Sequence, residues 1–430
     1  MKIELPYLDY MFPLEFPDEN LLALAEPNEF APAGGPEEIL GAALSHPFGR
    51  EDVGPAAGPD LGEFLRGAKD TLVIINDATR PTPTEAIIRA LLPLAEEAGC
   101  GGTLRFLVAT GAHRPPTEAE YRQILGSLYE DLRPRCTHHD SRNEADLVDL
   151  GTTRNGTPIS LNRSIFDAGR IIVTGSVEPH YFAGFTGGRK AFLPGVAGYK
   201  TIEANHKQAL SPAARSLALD GNPVHEDMMD ALSLIKTPVF SVMTVLDKEQ
   251  RVAAATAGDI LGSFYRAAEI ARRIFCVPVP AKADIVVSVA KFPMDIDLYQ
   301  SQKAIDNGAL ALKDGGVLIL VSSCRDGIGD EAYAKLLARA ASPVDALERI
   351  RAEYRLGYHK AAKMAAVSRR ATVKAVTELP PERLRRMFIQ AAGSPQEALD
   401  EALRQAPARG FSAPRILILP DGCVTVPEPP

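Results

Sequence analysis

The sequence predicts an α/β protein made of two α/β domains, each with a largely parallel sheet. Short apolar segments rich in β-branched residues alternate with longer segments of helical periodicity, which is the pattern of strand–helix–strand units. The chain has 430 residues, of which 46% are hydrophobic. Because that length exceeds what a single hydrophobic core ordinarily serves, two domains are expected.

The individual elements follow from apolar runs and from apolar residues at helical spacing. The predicted strands are 71–75, 104–109, 171–174, 240–246, 285–289, 317–321 and 416–419. The predicted helices are 84–98, 261–275, 330–340, 344–354 and 381–391.

A segment with two prolines lies between a predicted helix and the next strand, at residues 276–284, and is typical of a linker. We therefore place one domain at residues 1–275 and a second at 276–430. An active-site crevice between the two domains is the expected place for a ligand. Residues 31–62 are rich in Pro, Gly and Ala and are predicted to be irregular and extended.

Composition excludes several classes of function. The net charge is −8, and no stripe of basic residues with interleaved aromatics is present, so nucleic acid is not the expected partner. Glu4, Asp9 and Glu15 interrupt the N-terminal segment, and no long apolar run follows, so we expect no membrane segment and a cytoplasmic protein. The five cysteines are scattered, which favours free thiols in a reducing compartment.

The first group of reactive side chains follows the strand predicted at 71–75. The sequence there is NDATRPTPT, which contains Asp77, Thr79 and Arg80. Open α/β sheets bind ligands at the carboxyl ends of their strands, and a guanidinium group can meet a carboxylate or phosphate with two hydrogen bonds. An ordinary polar turn with a surface arginine is the alternative.

A second strand end, after residues 104–109, reads TGAHRPPT and contains His113. An imidazole there can take or give a proton near neutral pH. A surface histidine without such a role is an equally good interpretation of this segment alone.

The third group is a glycine-rich segment at 175–206 that contains His180, Lys190 and His206. Lysine in such a segment can be a covalent attachment point, because a partly desolvated amine loses its proton and becomes nucleophilic. A phosphate-binding lysine is the alternative. His206 lies in a predicted helix and is either a single metal ligand or a polar helix residue. The glycines permit positive φ and close backbone approach to a ligand, and they include Gly187 and Gly188.

The fourth group follows the strand predicted at 285–289 and contains Tyr299, Gln300 and Lys303. At the start of a helix, residues 299 and 303 share one face, which would offer a hydroxyl and an ammonium group to an anion. Helix capping with a surface charge is the alternative.

Two weaker signals remain. Tyr358 and His359 follow a glycine in the run RLGYHKAAKMA and are either part of the substrate crevice or a surface helix start. Metal-ligand residue types also cluster in CTHHD, but adjacent histidines on a strand point to opposite faces, which disfavours a metal site.

With these four groups in place, the chain resembles the nickel-dependent lactate racemase family, whose members are 2-hydroxy acid racemases and epimerases. The shared motifs are D-x-T-R-P at Asp77, G-x-H-R at Gly111, E-P-H-x-x-x-G-x-x-G-G-R-K ending at Lys190, N-H ending at His206, and Y-Q-x-x-K from Tyr299. They occur in the family's order with compatible spacing.

The resemblance implies a nickel-pincer nucleotide, pyridinium-3-thioamide-5-thiocarboxylic acid mononucleotide, that holds nickel through two sulfurs and one ring carbon. It implies that Lys190 forms the thioamide tether and that His206 is the remaining nickel ligand. Asp77, Thr79, Gly187 and Gly188 would support the cofactor. Enzymes of cofactor biosynthesis would be required as maturation partners.

The resemblance further implies that His113 and His180 are the two acid/base residues, since a racemase must handle the hydroxyl proton of either enantiomer. Arg80 and Lys303 would bind the substrate carboxylate, and Tyr299 and Gln300 would line the pocket. The chain contains no tryptophan, so any indole wall of a lactate-specific site must differ here. Tyr358 and His359 are the expected replacements, and a 2-hydroxy acid larger or more polar than lactate is the expected substrate.

Other functions fit the sequence less well. A pyridoxal-phosphate enzyme using Lys190 would leave His206 without a role. A dehydrogenase using free NAD would need a G-x-G-x-x-G turn after an early strand, which is missing. A binding protein that has lost catalysis would not need both His113 and His180.

Overall fold

The computed structural model describes residues 1–49 and 58–430. Its strands are β1 Lys2–Tyr7, β2 Tyr10–Glu15, β3 Leu21–Leu24, β4 Thr71–Asn76, β5 Leu104–Ala109, β6 Cys136–His138, β7 Leu147–Thr152, β8 Pro158–Asn162, β9 Arg170–Ser176, β10 Pro179–His180, β11 Gly184–Phe185, β12 Val239–Leu246, β13 Val252–Gly258, β14 Cys276–Pro278, β15 Ala283–Val289, β16 Leu312–Val321, β17 Thr372–Val376, β18 Ile389–Ala391, β19 Ile416–Leu419 and β20 Val426–Glu428. Its helices are α1 Pro36–Ser45, α2 Leu61–Leu65, α3 Thr84–Glu97, α4 Glu118–Leu125, α5 Tyr129–Leu132, α6 Ser164–Asp167, α7 Tyr199–Lys207, α8 Pro223–Ser233, α9 Ile260–Phe275, α10 Leu298–Gly308, α11 Glu331–Ala338, α12 Pro343–Ala352, α13 Tyr358–Arg370, α14 Pro381–Arg385 and α15 Pro395–Gln405.

The chain divides into two compact units. The central unit is Glu29–Ile274, and the terminal unit combines Met1–Asn28 with Phe275–Pro430. Each unit has a hydrophobic core of its own.

The central unit is built on a six-stranded sheet in the order β13-β12-β9-β4-β5-β6. All neighbouring strands are parallel except β13, which pairs antiparallel with β12 at the edge. The first five residues of β4 are buried apolar or β-branched side chains, as expected for a strand covered on both faces. Because β4, β5 and β9 are parallel, their carboxyl ends lie at one edge of the sheet.

The terminal unit has a second six-stranded sheet in the order β18-β17-β16-β15-β19-β3, and every pairing in it is parallel. α10 follows β15, so it begins near the carboxyl end of that strand. The α/β class and the largely parallel sheets therefore agree with the sequence prediction.

Every predicted strand is present, and the predictions 104–109 and 416–419 have the observed bounds of β5 and β19. Four of the five predicted helices are also present, with shifts of one or two residues at their ends. The fifth prediction, 381–391, is wrong in its second half. There α14 ends at Arg385 and the chain continues as β18, which pairs with β17.

The predicted domain bounds need a correction at the N-terminus, although the structure also divides the chain near residue 275. Residues 1–28 belong to the terminal unit because β3 pairs with β19 and because Leu5 and Leu14 pack in the core beside Val287. The predicted linker, 276–284, contains β14, which pairs with β20 near the C-terminus.

The region 31–62, predicted to be irregular, contains α1 and the start of α2. Residues 50–57 of that prediction lie outside the described residues. In the part of the chain that the structure describes, no helix is long and apolar enough to cross a membrane.

Candidate functional site

Three strand ends of the central sheet are joined by hydrogen bonds. After β4, the Thr82 hydroxyl donates to Asn76 Oδ1 at 2.8 Å and lies 2.9 Å from the Ser176 hydroxyl at the end of β9. After β5, the backbone N–H of Gly111 donates to the carbonyl of Gly195 at 2.9 Å. The segments that carry Arg80, His113 and Lys190 are thus tied to one edge of the sheet.

Asp77 and His113 form a direct contact. His113 Nδ1 lies 2.7 Å from Asp77 Oδ2, and the Thr79 hydroxyl donates to Asp77 Oδ1 at 2.6 Å. Burial alone would raise the pKa of the Asp77 carboxyl, but hydrogen bonds from His113 and Thr79, with the positive charge of Arg80, outweigh burial and hold it below its ordinary value. Asp77, for which the sequence suggested cofactor support, therefore has His113 and Thr79 as its hydrogen-bond partners.

The backbone around Lys190 depends on two glycines. Gly187 and Gly188 have φ of +78° and +53°, a region that L-residues with side chains rarely adopt. A Cβ atom on Gly187 would lie 2.6 Å from Val177 Cγ2, so a larger residue would clash. The turn continues as a short 3-10 helix, Gly188–Ala191, in which Lys190 donates its N–H to the Gly187 carbonyl at 3.1 Å.

The Lys190 amine lies in a positively charged, desolvated environment. Burial of the ammonium group, with repulsion from Arg80 and Arg189, sets the pKa of Lys190 well below its ordinary value, and Glu178 opposes the shift. The residue as a whole is only half-buried. Destabilising the ammonium form favours the neutral amine, which is the nucleophilic form of lysine.

One aromatic ring, that of Phe182, contacts three of the residues chosen from the sequence. Its centroid lies 4.5 Å from the His180 ring, 5.0 Å from the His206 ring and 5.5 Å from Lys190 Nζ. Phe182 is 2% exposed. The structure therefore brings His180, Lys190 and His206 together around a buried apolar surface. The sequence analysis missed Phe182, although an aromatic residue inside a glycine-rich segment was a usable signal.

Arg189 is a second residue that the sequence analysis missed. It is fully buried, and it donates to the Ala183 carbonyl at 2.7 Å and to His225 Nδ1 at 3.0 Å. Its guanidinium carbon lies 4.2 Å from the centroid of the Phe264 ring. Burial lowers the pKa of Arg189 to about 9, so the group stays charged at neutral pH. Nothing in its sequence context distinguished it from a surface arginine.

His206 lies on α7, beside the buried Asn205, whose amide donates to the Val224 carbonyl at 3.1 Å. Among the residues that the structure describes, no three His, Cys, Asp or Glu side chains are grouped so that they could hold a metal ion. A metal bound through His206 would therefore receive at most two ligands of these types from the described residues. The CTHHD segment has no metal-site geometry either: the ring of His138 lies 3.2 Å from the Tyr121 hydroxyl, and the buried His139 contacts the Ala197 carbonyl at 2.9 Å.

In the terminal unit, Tyr299, Gln300 and Lys303 all lie on α10. Asp297 caps this helix by accepting the N–H of Gln300 at 2.7 Å. Lys303 Nζ lies 3.3 Å from Met294 Sδ. Burial raises the pKa of the Tyr299 hydroxyl to about 12, so this group is a hydrogen-bond donor at neutral pH.

A buried lysine on α13 holds the start of α10. Lys360 is 4% exposed, donates to the carbonyl oxygen of Tyr299 and places its ammonium 3.9 Å from the centroid of the Tyr299 ring. In return, Gln302 donates to the Lys360 carbonyl at 2.9 Å. These bonds fix the helix face that carries Tyr299 and Lys303.

Tyr358 and His359 begin α13. His359 is 6% exposed, and its Nδ1 lies 2.9 Å from the Tyr354 hydroxyl, while Tyr358 is half-buried. The placement of Tyr358 and His359 in a substrate pocket stays a prediction.

The fold and the central site together define a class of protein: a two-unit α/β protein whose central unit groups a lysine of lowered pKa with two histidines around one buried ring. Residues 7–216 match the lactate racemase N-terminal domain, and residues 279–426 match the lactate racemase C-terminal domain. The chain belongs to the lactate racemase family and is an isomerase.

Individual relatives agree with this assignment. The lactate racemases of Thermoanaerobacterium thermosaccharolyticum and Lactiplantibacillus plantarum are each 30% identical to the chain. Each alignment covers 98% of this chain. It covers 97% of the first relative and 98% of the second. The structure of the T. thermosaccharolyticum lactate racemase apoprotein superimposes with a TM-score of 0.89 at 29% identity, over all of both chains. A Thermotoga maritima protein shares the fold, with a TM-score of 0.64 at 19% identity over 92% of this chain and 99% of its own.

The low pKa of Lys190 leads to a first prediction. Competitive labelling of the cofactor-free protein with acetic anhydride over a range of pH, read by peptide mass spectrometry, should give Lys190 a lower labelling midpoint than Lys200. Lys200 is the control because its side chain is 84% exposed. Equal midpoints for the two amines would contradict the electrostatic description of the site.

Proposed function

We propose that this protein racemises a 2-hydroxy acid, with a nickel-pincer nucleotide tethered to Lys190 and with His113 and His180 as acid and base. The observation that carries the proposal is the grouping of His180, Lys190 and His206 around Phe182. The names of the similar proteins support lactate as a substrate.

The donor set of the chain fits this cofactor. The group brings three of its own metal donors, so it needs one amine for attachment and one further ligand from the protein. Lys190 has a lowered pKa, which favours the nucleophilic neutral amine. The Lys190 amine and the His206 imidazole both lie beside the buried Phe182 ring. The His206 imidazole would be that further ligand, since imidazole is a donor that suits nickel. When bound, the cofactor supplies the chemistry of accepting a hydride and returning it.

The remaining residues of the shared motifs would handle the substrate's charge and proton. Arg80 and Lys303 would bind the carboxylate, while Gln300 and Tyr299 would donate hydrogen bonds. His113 would take the hydroxyl proton of one enantiomer, and His180 that of the other. Two bases are needed because the planar 2-oxo acid has two faces. Gly187 and Gly188 would let the backbone approach the cofactor. Thr79, which also orients Asp77, would lie next to the cofactor.

Lys190 acquires its tether only if enzymes of cofactor biosynthesis act first, so these are proposed maturation partners. Production with and without those enzymes is therefore the starting point of each test that follows.

The function itself is tested with the loaded protein. We expect racemisation of at least one of lactate, 2-hydroxybutyrate, malate and gluconate, followed by polarimetry or chiral chromatography. Because Tyr358 and the His359–Tyr354 pair are polar, an acid larger than lactate should have the highest kcat/KM. Turnover of none of the four would overturn the proposed function. A clear preference for lactate would overturn only the role given to Tyr358 and His359.

Lys190→Ala should abolish covalent attachment of the cofactor and leave the fold intact, because the side chain serves the ligand and is not part of the core. Intact-mass measurement after co-expression with the biosynthetic enzymes gives the result, and Lys200→Ala is the matched control.

His206→Ala should keep the organic adduct but lose nickel, measured by metal analysis. An adduct on the Lys190→Ala protein, or full nickel content without His206, would refute the corresponding assignment.

His113→Gln and His180→Gln should each depress racemisation in both directions, because one complete inversion uses both bases. The expected loss in kcat is ~10²–10⁴-fold, the usual range for acid–base assistance. Equilibration is measured from each pure enantiomer, and His46→Gln, far from these strand ends in sequence, is the control. Near-normal turnover by either variant would eliminate the two-base mechanism.

A further inference from the structure

The two proposed acid/base histidines differ in what binds their Nδ1 atoms. His113 Nδ1 lies 2.7 Å from Asp77 Oδ2, and an ionised carboxylate can only accept, so this nitrogen carries a hydrogen. His180 Nδ1 lies 3.2 Å from the backbone nitrogen of Ala183, and an N–H group can only donate, so this nitrogen accepts. In their neutral forms the two rings are therefore opposite tautomers.

This difference decides what each ring offers at Nε2. Neutral His113 has a lone pair on Nε2 and can accept a hydroxyl proton without rearranging. Neutral His180 carries its hydrogen on Nε2, so it can accept a hydroxyl proton there only after that hydrogen has moved to Nδ1 and the contact with the Ala183 N–H has broken. The bond made by one ring nitrogen fixes the role of the other.

Asp77 is itself held in place. It is 8% exposed, and its Oδ1 accepts from the Thr79 hydroxyl at 2.6 Å and from the Thr79 N–H at 3.3 Å, which leaves Oδ2 for His113. The His113 side chain is 51% exposed, so packing restrains its ring weakly. The carboxylate is thus the contact best placed to set both the tautomer and the direction of the ring.

We propose that Asp77 is a positioning residue that keeps His113 in the Nδ1–H form and so makes its Nε2 the base of the reaction. In this step the hydroxyl O–H bond of the substrate breaks and a new N–H bond forms at His113 Nε2. Asp77 stays ionised, receives no proton and offsets the charge of the imidazolium. The proposal rests on the proposed racemase function, and it gives Asp77 a role that cofactor support would not.

The tautomers are measured first, in cofactor-free protein labelled with nitrogen-15 in histidine. We expect the His113 resonances of the Nδ1–H tautomer and the His180 resonances of the Nε2–H tautomer, assigned by their loss in His113→Gln and His180→Gln. In Asp77→Asn, the amide can donate to Nδ1, so His113 should shift toward the Nε2–H form while His180 stays unchanged. A hydrogen on His113 Nε2 and none on Nδ1 in the unaltered neutral protein would overturn the proposal.

Kinetics of the loaded protein supply the second measurement. Asp77→Asn should lower kcat by ~10²–10⁴-fold with little change in KM, as expected when a base is held in the wrong tautomer. Asp70→Asn is the matched control, since it makes the same change at the other end of β4, where Asp70 pairs with Arg105 at 2.6 Å. It should leave both the tautomers and kcat unchanged. A rise in KM alone for Asp77→Asn would mean that Asp77 serves Arg80 and would refute the proposal.

The two measurements separate this inference from the proposed function. If the loaded protein racemises no 2-hydroxy acid, the proposed function and the base role of His113 both fail, whatever the tautomers are. If it racemises a substrate but Asp77→Asn leaves the His113 tautomer or kcat intact, only the role of Asp77 fails.

Discussion

The parallel pairing of β4 with β5 and β9 determines where chemistry can occur in the central unit. Parallel strands bring their carboxyl ends to one edge, so segments more than thirty residues apart in the sequence, around Asp77 and His113, come into hydrogen-bonding distance. The crossover helix α3 makes this possible by returning the chain to the start of β5. Without this parallel pairing, the Asp77 carboxylate and the His113 imidazole would not be in contact. The glycine-rich segment after β9 would also not reach Gly111.

A buried cation, Arg189, holds the glycine-rich segment in place. Arg189 donates to the backbone carbonyls of Ala183 and Gly187 and stacks on Phe264, so it holds both flanks of the segment at once. Burying a charge costs several kcal/mol unless hydrogen bonds and nearby charges compensate. The described contacts of Arg189 are with neutral groups, chiefly carbonyls and the His225 ring, whose own pKa falls to about 3 through burial and the neighbouring guanidinium. A segment held in this way presents Lys190 in one fixed place.

Local apolar patterns were sufficient for the seven predicted strands and for four of the five predicted helices. They failed where partners are distant in the chain: β3 joins a sheet whose other strands lie beyond residue 282, and no local pattern reveals that pairing. Residues 389–391 form β18 because they pair with β17, against a helical pattern. In the site, the motifs shared with the family singled out Lys190, His180 and His206. The Phe182 ring that joins them and the Asp77 contact with His113 depend on side-chain directions that only the folded chain defines.

Electrostatics link the two halves of the proposed chemistry. The protein has a net charge of −8, yet the central site gathers Arg80, Arg189 and Lys190. Both expected occupants, a nucleotide with a phosphate and a 2-hydroxy acid with a carboxylate, are anions, and a local positive potential favours their entry. Burial, together with the same potential, destabilises the proton on Lys190 and so favours the neutral amine. In the proposed function, the amine could no longer be protonated once it is acylated, and Arg80 would remain as the cation that meets the substrate. One group of cations would then serve cofactor attachment first and substrate binding afterwards.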